Sequence, residues 1–128
     1  MKVERFNDCI EKRIDKCKQL LVKKADEYAT EDRLHNFKVA AELQGVNILT
    51  ALAGMMAKHT VSVYDLIQEV QEGDRPPREM WDEKIGDSIN YLLLLDAAVE
   101  ELYNILGEVR IVMNNGKKPT CRYGENNS

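Results

Sequence analysis

The sequence predicts an all-α protein, a bundle of four helices with two or three of them long and one short. Three observations predict it. Apolar residues recur every three or four positions along most of the chain, the period of a helix with one buried face. No stretch of the body alternates apolar and polar with a period of two, as a half-buried strand would. The strongest breakers, Gly45, Gly73, Pro76, Pro77 and Gly107, fall between the periodic stretches. The length of 128 residues fits one core, so the expected organisation is a helical bundle over 1–112 and a polar, mobile tail over 113–128.

The first helix is expected from Val3 to about Ala29. Val3, Phe6, Ile10, Ile14, Cys17, Leu21, Ala25 and Tyr28 make its stripe, and no Pro or Gly interrupts it. "ATEDRLHN" reads as a connection, with Asn36 the expected N-cap of a short helix "FKVAAELQ" that Gly45 closes. Asn47 is the expected cap of the third helix, which carries Ile48, Leu52, Met55, Met56, His59, Val63, Leu66, Ile67 and Val70 to about Gln71. "EGDRPP" then stops the chain, because two successive prolines do not sit inside a helix. A last long helix is expected from about Arg78 to Leu106, ending at Gly107. "EVRIVM" beyond it reads equally as more helix or as one short strand. Gly54 and Gly86, inside helices at some cost relative to Ala, are expected to mark close approaches between helices. Neighbouring helices joined by short loops are expected to run antiparallel.

Composition excludes several classes. A net charge of −4 with no basic run argues against a nucleic-acid scaffold. No apolar run approaches the roughly 18 residues of a membrane span, and the first residues are charged where a signal peptide needs an apolar block. A cytoplasmic protein is expected. Cys9 and Cys17 stand about 12 Å apart along one helix at 1.5 Å per residue, too far for a disulfide. With Cys121 in the tail and no Cys/His cluster of zinc spacing, the thiols read as buried or idle.

The chemistry centres on "WDEKIGDSINY", Trp81–Tyr91. Glu83, Asp87 and Asn90 share a face opposite Trp81, Ile85, Ser88, Ile89 and Leu92. Past Asn90, "LLLL" is apolar all round, which suggests a helix covered on both sides and a homo-oligomer formed through it. A polar stripe running into a covered face needs a cation or a basic partner, since an unpaired carboxylate is costly to bury. Glu83 and Asp87, one turn apart, and Glu27 and Glu31, at the same spacing, would together offer Mg²⁺ four hard oxygen ligands. A solvated helix face fits Glu83 and Asp87 as well as a metal site does, and fits Glu27 and Glu31 better. Lys24, Arg33, His35, Lys58 and His59 form a second candidate set, for phosphate oxygens. His59 on its apolar stripe also reads as a core histidine, and Lys58 as a partner of Asp65. Tyr91 reads either as packed core or as a platform for a base, and Asp32 and Asn36 as plain turn and capping residues.

"KKADEYA", "DRLHNFKVAAELQG", "MMAKHTVSVYDLI" and "WDEKIGDSINYLLLL", in that order over about 24–100, resemble a group of small helical proteins of phages and prophages of Gram-positive bacteria. Those are in turn distantly similar to the all-α nucleoside triphosphate pyrophosphatases of the MazG type. The resemblance implies Mg²⁺ held by ExxE in one helix and ExxD in a later one, with hydrolysis to a monophosphate and pyrophosphate. The chain departs from that pattern. Lys84 stands three residues before Asp87 where an acid is expected, and no ExxE closes the first helix; Asp26, Glu27 and Glu31 are what it offers.

Three functions follow as expectations. One is a Mg²⁺-dependent nucleotide pyrophosphatase built on Glu27, Glu31, Glu83 and Asp87. Another is a non-catalytic protein that grips or sequesters a nucleotide or nucleotide-derived signal through Lys24, Arg33, His35, Lys58, His59, Asn90 and Tyr91. The third is a structural or interaction protein whose acidic stripe only solvates a helix. The missing metal ligands favour binding over turnover.

Overall fold

The computed structural model describes residues 1–28 and 31–113, apart from the side chains of Tyr28 and of 108–113. They form four α-helices: α1 Val3–Tyr28, α2 His35–Gln44, α3 Ile48–Gln71 and α4 Arg78–Met113. Among the described residues there is no strand, and no single helix is long and apolar enough to cross a membrane. The expected tail beyond α4, with Cys121, lies outside the described residues.

The helix ends show which local signals act. Gly45 closes α2 at φ 66°, and the amides of Gly45 and Val46 fold back on the carbonyls of Glu42 and Ala41. Asn47 caps α3, its Oδ1 accepting from Thr50 N–H at 2.8 Å. Gly73, at φ 102°, follows the end of α3. Two expectations fail. Asn36 is not an N-cap: α2 begins at His35, and Leu34 in the cap position offers no side-chain bond. Asp32 takes over, accepting Leu34 N–H at 2.9 Å. Gly107 does not end α4, which continues through it and "EVRIVM" to Met113. Only Gly45 and Gly73 among the described glycines have positive φ, so Gly107 makes no left-handed cap.

The long helices run up, down and up. His59 of α3 meets Asp87 and Tyr91 of α4, while Leu52 packs with Leu94 and Ala98, so α3 and α4 are antiparallel. α2 meets α3 at a bend of 97°. α1 packs along α4 and makes no extended contact with α3. Arg13 lies at Asp82, and Leu20 and Leu21 lie at Asn90 and Leu94, so α1 and α4 are parallel. Alternating three long helices requires this of the first and third, and a wholly antiparallel bundle is not what forms.

The core is small. Leu34, Leu52, Leu94 and Ala98 form it, with Leu21, Phe37, Ile48, Leu49, Tyr91 and Leu95 packed against it. Gly86, Asn90, Leu94 and Ala98 are the buried positions of α4, one on each turn. The inward face of α4 is therefore the one that carries Asn90, whereas Leu92 and Leu93 are exposed. Much apolar surface stays open, including Val3, Phe6, Ile10 and Ile14 on α1 and Leu102, Tyr103, Ile105 and Leu106 late in α4.

Candidate functional site

A cleft of about 150 Å³ opens where α1, the start of α2 and α4 converge. Leu20, Leu21 and Lys24 line it from α1, and Asp87, Asn90, Tyr91 and Leu94 from α4. Arg33 and Phe37, with Asn36 between them, close the third side. A second hollow of about 200 Å³ adjoins it, sharing Leu20, Asp87 and Asn90 and reaching toward Arg13, Lys16, Asp82 and Glu83. Together they form a trough along the α1–α4 seam.

Asn90 is the polar residue at the centre of this trough. It is 6 % exposed, and its Oδ1 is buried without a hydrogen-bond partner among the described residues. Such a group costs about 1–3 kcal/mol unless something satisfies it. The cleft wall beside it is aromatic. Tyr91 stacks on His59 with centroids 4.7 Å apart and meets Phe37 edge-on at 6.3 Å. His59 stands behind this wall, with Nδ1 3.6 Å from Asp87 Oδ2 and Nε2 buried without a partner among the described residues. At that distance the pair is an ion pair when His59 is protonated, not a close hydrogen bond.

The connection into α2 is held from both sides. Asp32 accepts Lys38 Nζ at 2.7 Å, and the same ammonium donates to Glu101 Oε1 of α4 at 2.8 Å. The Lys38 bond comes first among the causes that lower the Asp32 pKa, and the Asp32 bond first among those that raise that of Lys38. This link fixes Arg33, between Asp32 and the buried Leu34, at the cleft. Neither Arg33 nor Lys24 makes an ion pair among the described residues. Two cations therefore face one carboxylate, Asp87, across an aromatic and amide-lined floor.

Farther along the trough Asp82 gathers Arg13, Lys16 at 3.5 Å and Arg78 at 3.1 Å. The hydrogen bond from Arg13 is the first cause holding the Asp82 carboxyl below its ordinary 3.8. Gly86 lets α1 come close here: a Cβ on it would stand 3.3 Å from Arg13 Nη1. Gly54 is different, with nothing within 4 Å, so it marks no helix approach.

Of the residues expected to hold phosphate, the fold brings Lys24, Arg33, Asn90 and Tyr91 to one cleft, with His59 behind it. His35 and Lys58 are exposed and line neither hollow. Of the expected magnesium ligands, Asp87 lines the cleft and Glu83 the adjoining hollow, where Lys84 Nζ lies 3.1 Å from Glu83 Oε1. Glu27 and Glu31 are exposed, and Glu31 falls on a bend outside α1, so the two do not share a helix face. Among the described residues no three His, Cys, Asp or Glu side chains converge on one point. Sequence reasoning missed Phe37 and the cleft-facing Asn36. Their signal was position, in the first turn of a helix that opens beside the "EDR" connection.

No family model, curated protein or solved structure matches this chain. The chemistry of the site rests on its own residues.

Proposed function

We propose that the chain binds a nucleotide, or a nucleotide-like phosphorylated small molecule, in the cleft between α1, α2 and α4. Lys24 and Arg33 take the phosphate oxygens, Lys24 as a point charge and Arg33 as a planar fork. Tyr91 and Phe37 give the ring an apolar wall. Asn90 and Asn36 offer amide donors and acceptors to its polar edge. The observation that carries this reading is Asn90: a buried amide oxygen without a partner among the described residues, in a cleft that also holds two cations unpaired among them. A cleft of 150 Å³ is below the roughly 300–1,000 Å³ of most ligand pockets, so it grips part of the ligand while the rest follows the trough.

A hydrolytic second reading has one observation in its favour. Asp87 and Glu83 both face the trough, and Mg²⁺ commonly needs one or two protein carboxylates plus the phosphates it arrives with. Under this reading Asp87 and Glu83 would hold the ion of an arriving magnesium–triphosphate, and the ion, when bound, would polarise the phosphoryl group.

Calorimetry and thermal shift with nucleoside mono-, di- and triphosphates, with and without Mg²⁺, test binding, because a ligand selective for the native state raises Tm. Lys24→Ala and Arg33→Ala should each weaken it at least several-fold. Absence of any shift across the panel would refute the proposal. Pyrophosphate release with Mg²⁺, abolished in Asp87→Asn, would favour the hydrolytic form.

A further inference from the structure

α1 carries an apolar row whose first half no other described residue covers. Val3, Phe6, Ile10 and Ile14 are 75 %, 54 %, 49 % and 51 % exposed, although Cys17 and Leu21 on the same row are covered by the rest of the fold. The spacing 3, 6, 10, 14, 17, 21 repeats every 11 residues, which keeps the row on one side of a nearly straight helix.

From Lys2 to Lys16 the charges beside the row are segregated; Lys18, past the exposed half of the row, is the one base on the acidic side. At 3.6 residues per turn, Glu4, Glu11, Asp15 and Asp8 fall on one flank, and Lys2, Arg13 and Lys16 on the other. None of the four acids makes an ion pair among the described residues. The basic flank is under-neutralised, because Arg13, Lys16 and Arg78 share the single carboxylate of Asp82.

We propose that this row is the contact surface of a homodimer in which the two α1 helices lie parallel. Symmetry decides the direction. A two-fold axis along the helices sets the acidic flank of each chain against the basic flank of the other, on both sides of the seam. An antiparallel pair would set acid against acid and base against base. A second copy also supplies the carboxylates that the Arg13–Lys16–Arg78 cluster lacks. The arm is ready for this contact: α1 is one continuous helix anchored on α4 by Arg13, so little order remains to be imposed.

Sedimentation of the full chain over a range of concentrations tests the association, with two chains of 14.7 kDa as the expected species. Ile10→Asp should give a monomer of unchanged helicity, and reversing the acidic flank with Glu4→Lys and Glu11→Lys should weaken the dimer. Direction is read with Val3→Cys and Ile14→Cys, made separately in a Cys9→Ser, Cys121→Ser background. A parallel pair in register oxidises to a disulfide dimer in both, whereas an antiparallel pair brings at most one of them to its own copy. A monomer at every concentration overturns the proposal, whether or not the arm then binds anionic vesicles or another protein. So does crosslinking of only one of the two cysteine variants. Should Ile10→Asp lose helicity, the wild-type mass and the cysteine pair still decide. The exposed half of the row, Val3 to Ile14, lies apart from Lys24, Arg33 and Asn90, so failure here leaves the nucleotide titrations untouched.

Discussion

Asn90 sets function against stability at a single position. Its side chain is buried beside Leu94 and Tyr91 with an amide oxygen that no group among the described residues satisfies. Asn90→Leu keeps the size, removes the unpaired oxygen and extends the apolar core. It should raise the stability of the free protein by about 1–3 kcal/mol, read by chemical denaturation, while abolishing the ligand-induced thermal shift. A variant that loses stability and keeps the shift would show that Asn90 is structural. Gly54 offers a contrast. It is exposed in the middle of α3 with nothing within 4 Å, so Gly54→Ala should stabilise by about 0.8–1 kcal/mol without touching the ligand response. At this scale the sequence was legible in part. The register of Glu83, Asp87 and Asn90 was visible, but not that Asp87 and Asn90 would face the cleft while Glu83 stayed largely open. Nor do residue types reveal that His35 and Lys58 stay away, because which basic groups meet depends on the angle between α2 and α3.

Between elements, two ion-pair groups join what apolar packing leaves loose. α1 is held to α4 through Arg13, whose guanidinium donates to both the backbone carbonyl and the carboxylate of Asp82. Because Arg13 lowers the Asp82 pKa below 3.8, the stabilisation is complete above that value and is lost as pH falls through the lowered one. Acidification below about pH 4 should therefore loosen α1 before the α3–α4 pair melts. Asp82→Asn should already be looser at neutral pH and change less on acidification, as followed by limited proteolysis within α1. The Asp32–Lys38–Glu101 link has an acid limit of the same sign. It also has an alkaline limit: the pKa of Lys38 is raised above 10.5, so its contribution is full below 10.5 and is lost as pH climbs through the raised value. Helix boundaries were the most readable feature: Asn47, Gly45 and Pro76–Pro77 act through local geometry that neighbours do not override. Asn36 and Gly107 misled because a cap residue works only where the backbone turns, and the backbone turns at neither.

For the whole molecule, periodicity identifies which face of each helix is apolar but not which helix it meets. The row on α1 reads as core along its full length, yet among the described residues only its second half is covered, where α1 packs on α4; α4 begins at Arg78, close to Arg13, and cannot reach farther. The apolar "LLLL" of α4 likewise reads as surrounded, while the single chain leaves Leu92 and Leu93 open. The expected oligomer through α4 and the proposed one through α1 thus arise from one imbalance, too many apolar faces for one chain to bury. Hydrogen exchange separates them. Amides around Leu52, Leu94 and Ala98, in the core, should exchange most slowly, since they open only with global unfolding. α4 beyond Leu102 carries Tyr103, Ile105 and Leu106 exposed and should exchange quickly at every protein concentration. The segment from Val3 to Ile14 should exchange quickly when dilute and slow down as concentration rises, because association covers that row alone. Slowing confined to α4 beyond Leu102 would transfer the interface to the last helix, and slowing in neither segment would mean that the exposed rows stay bare in solution.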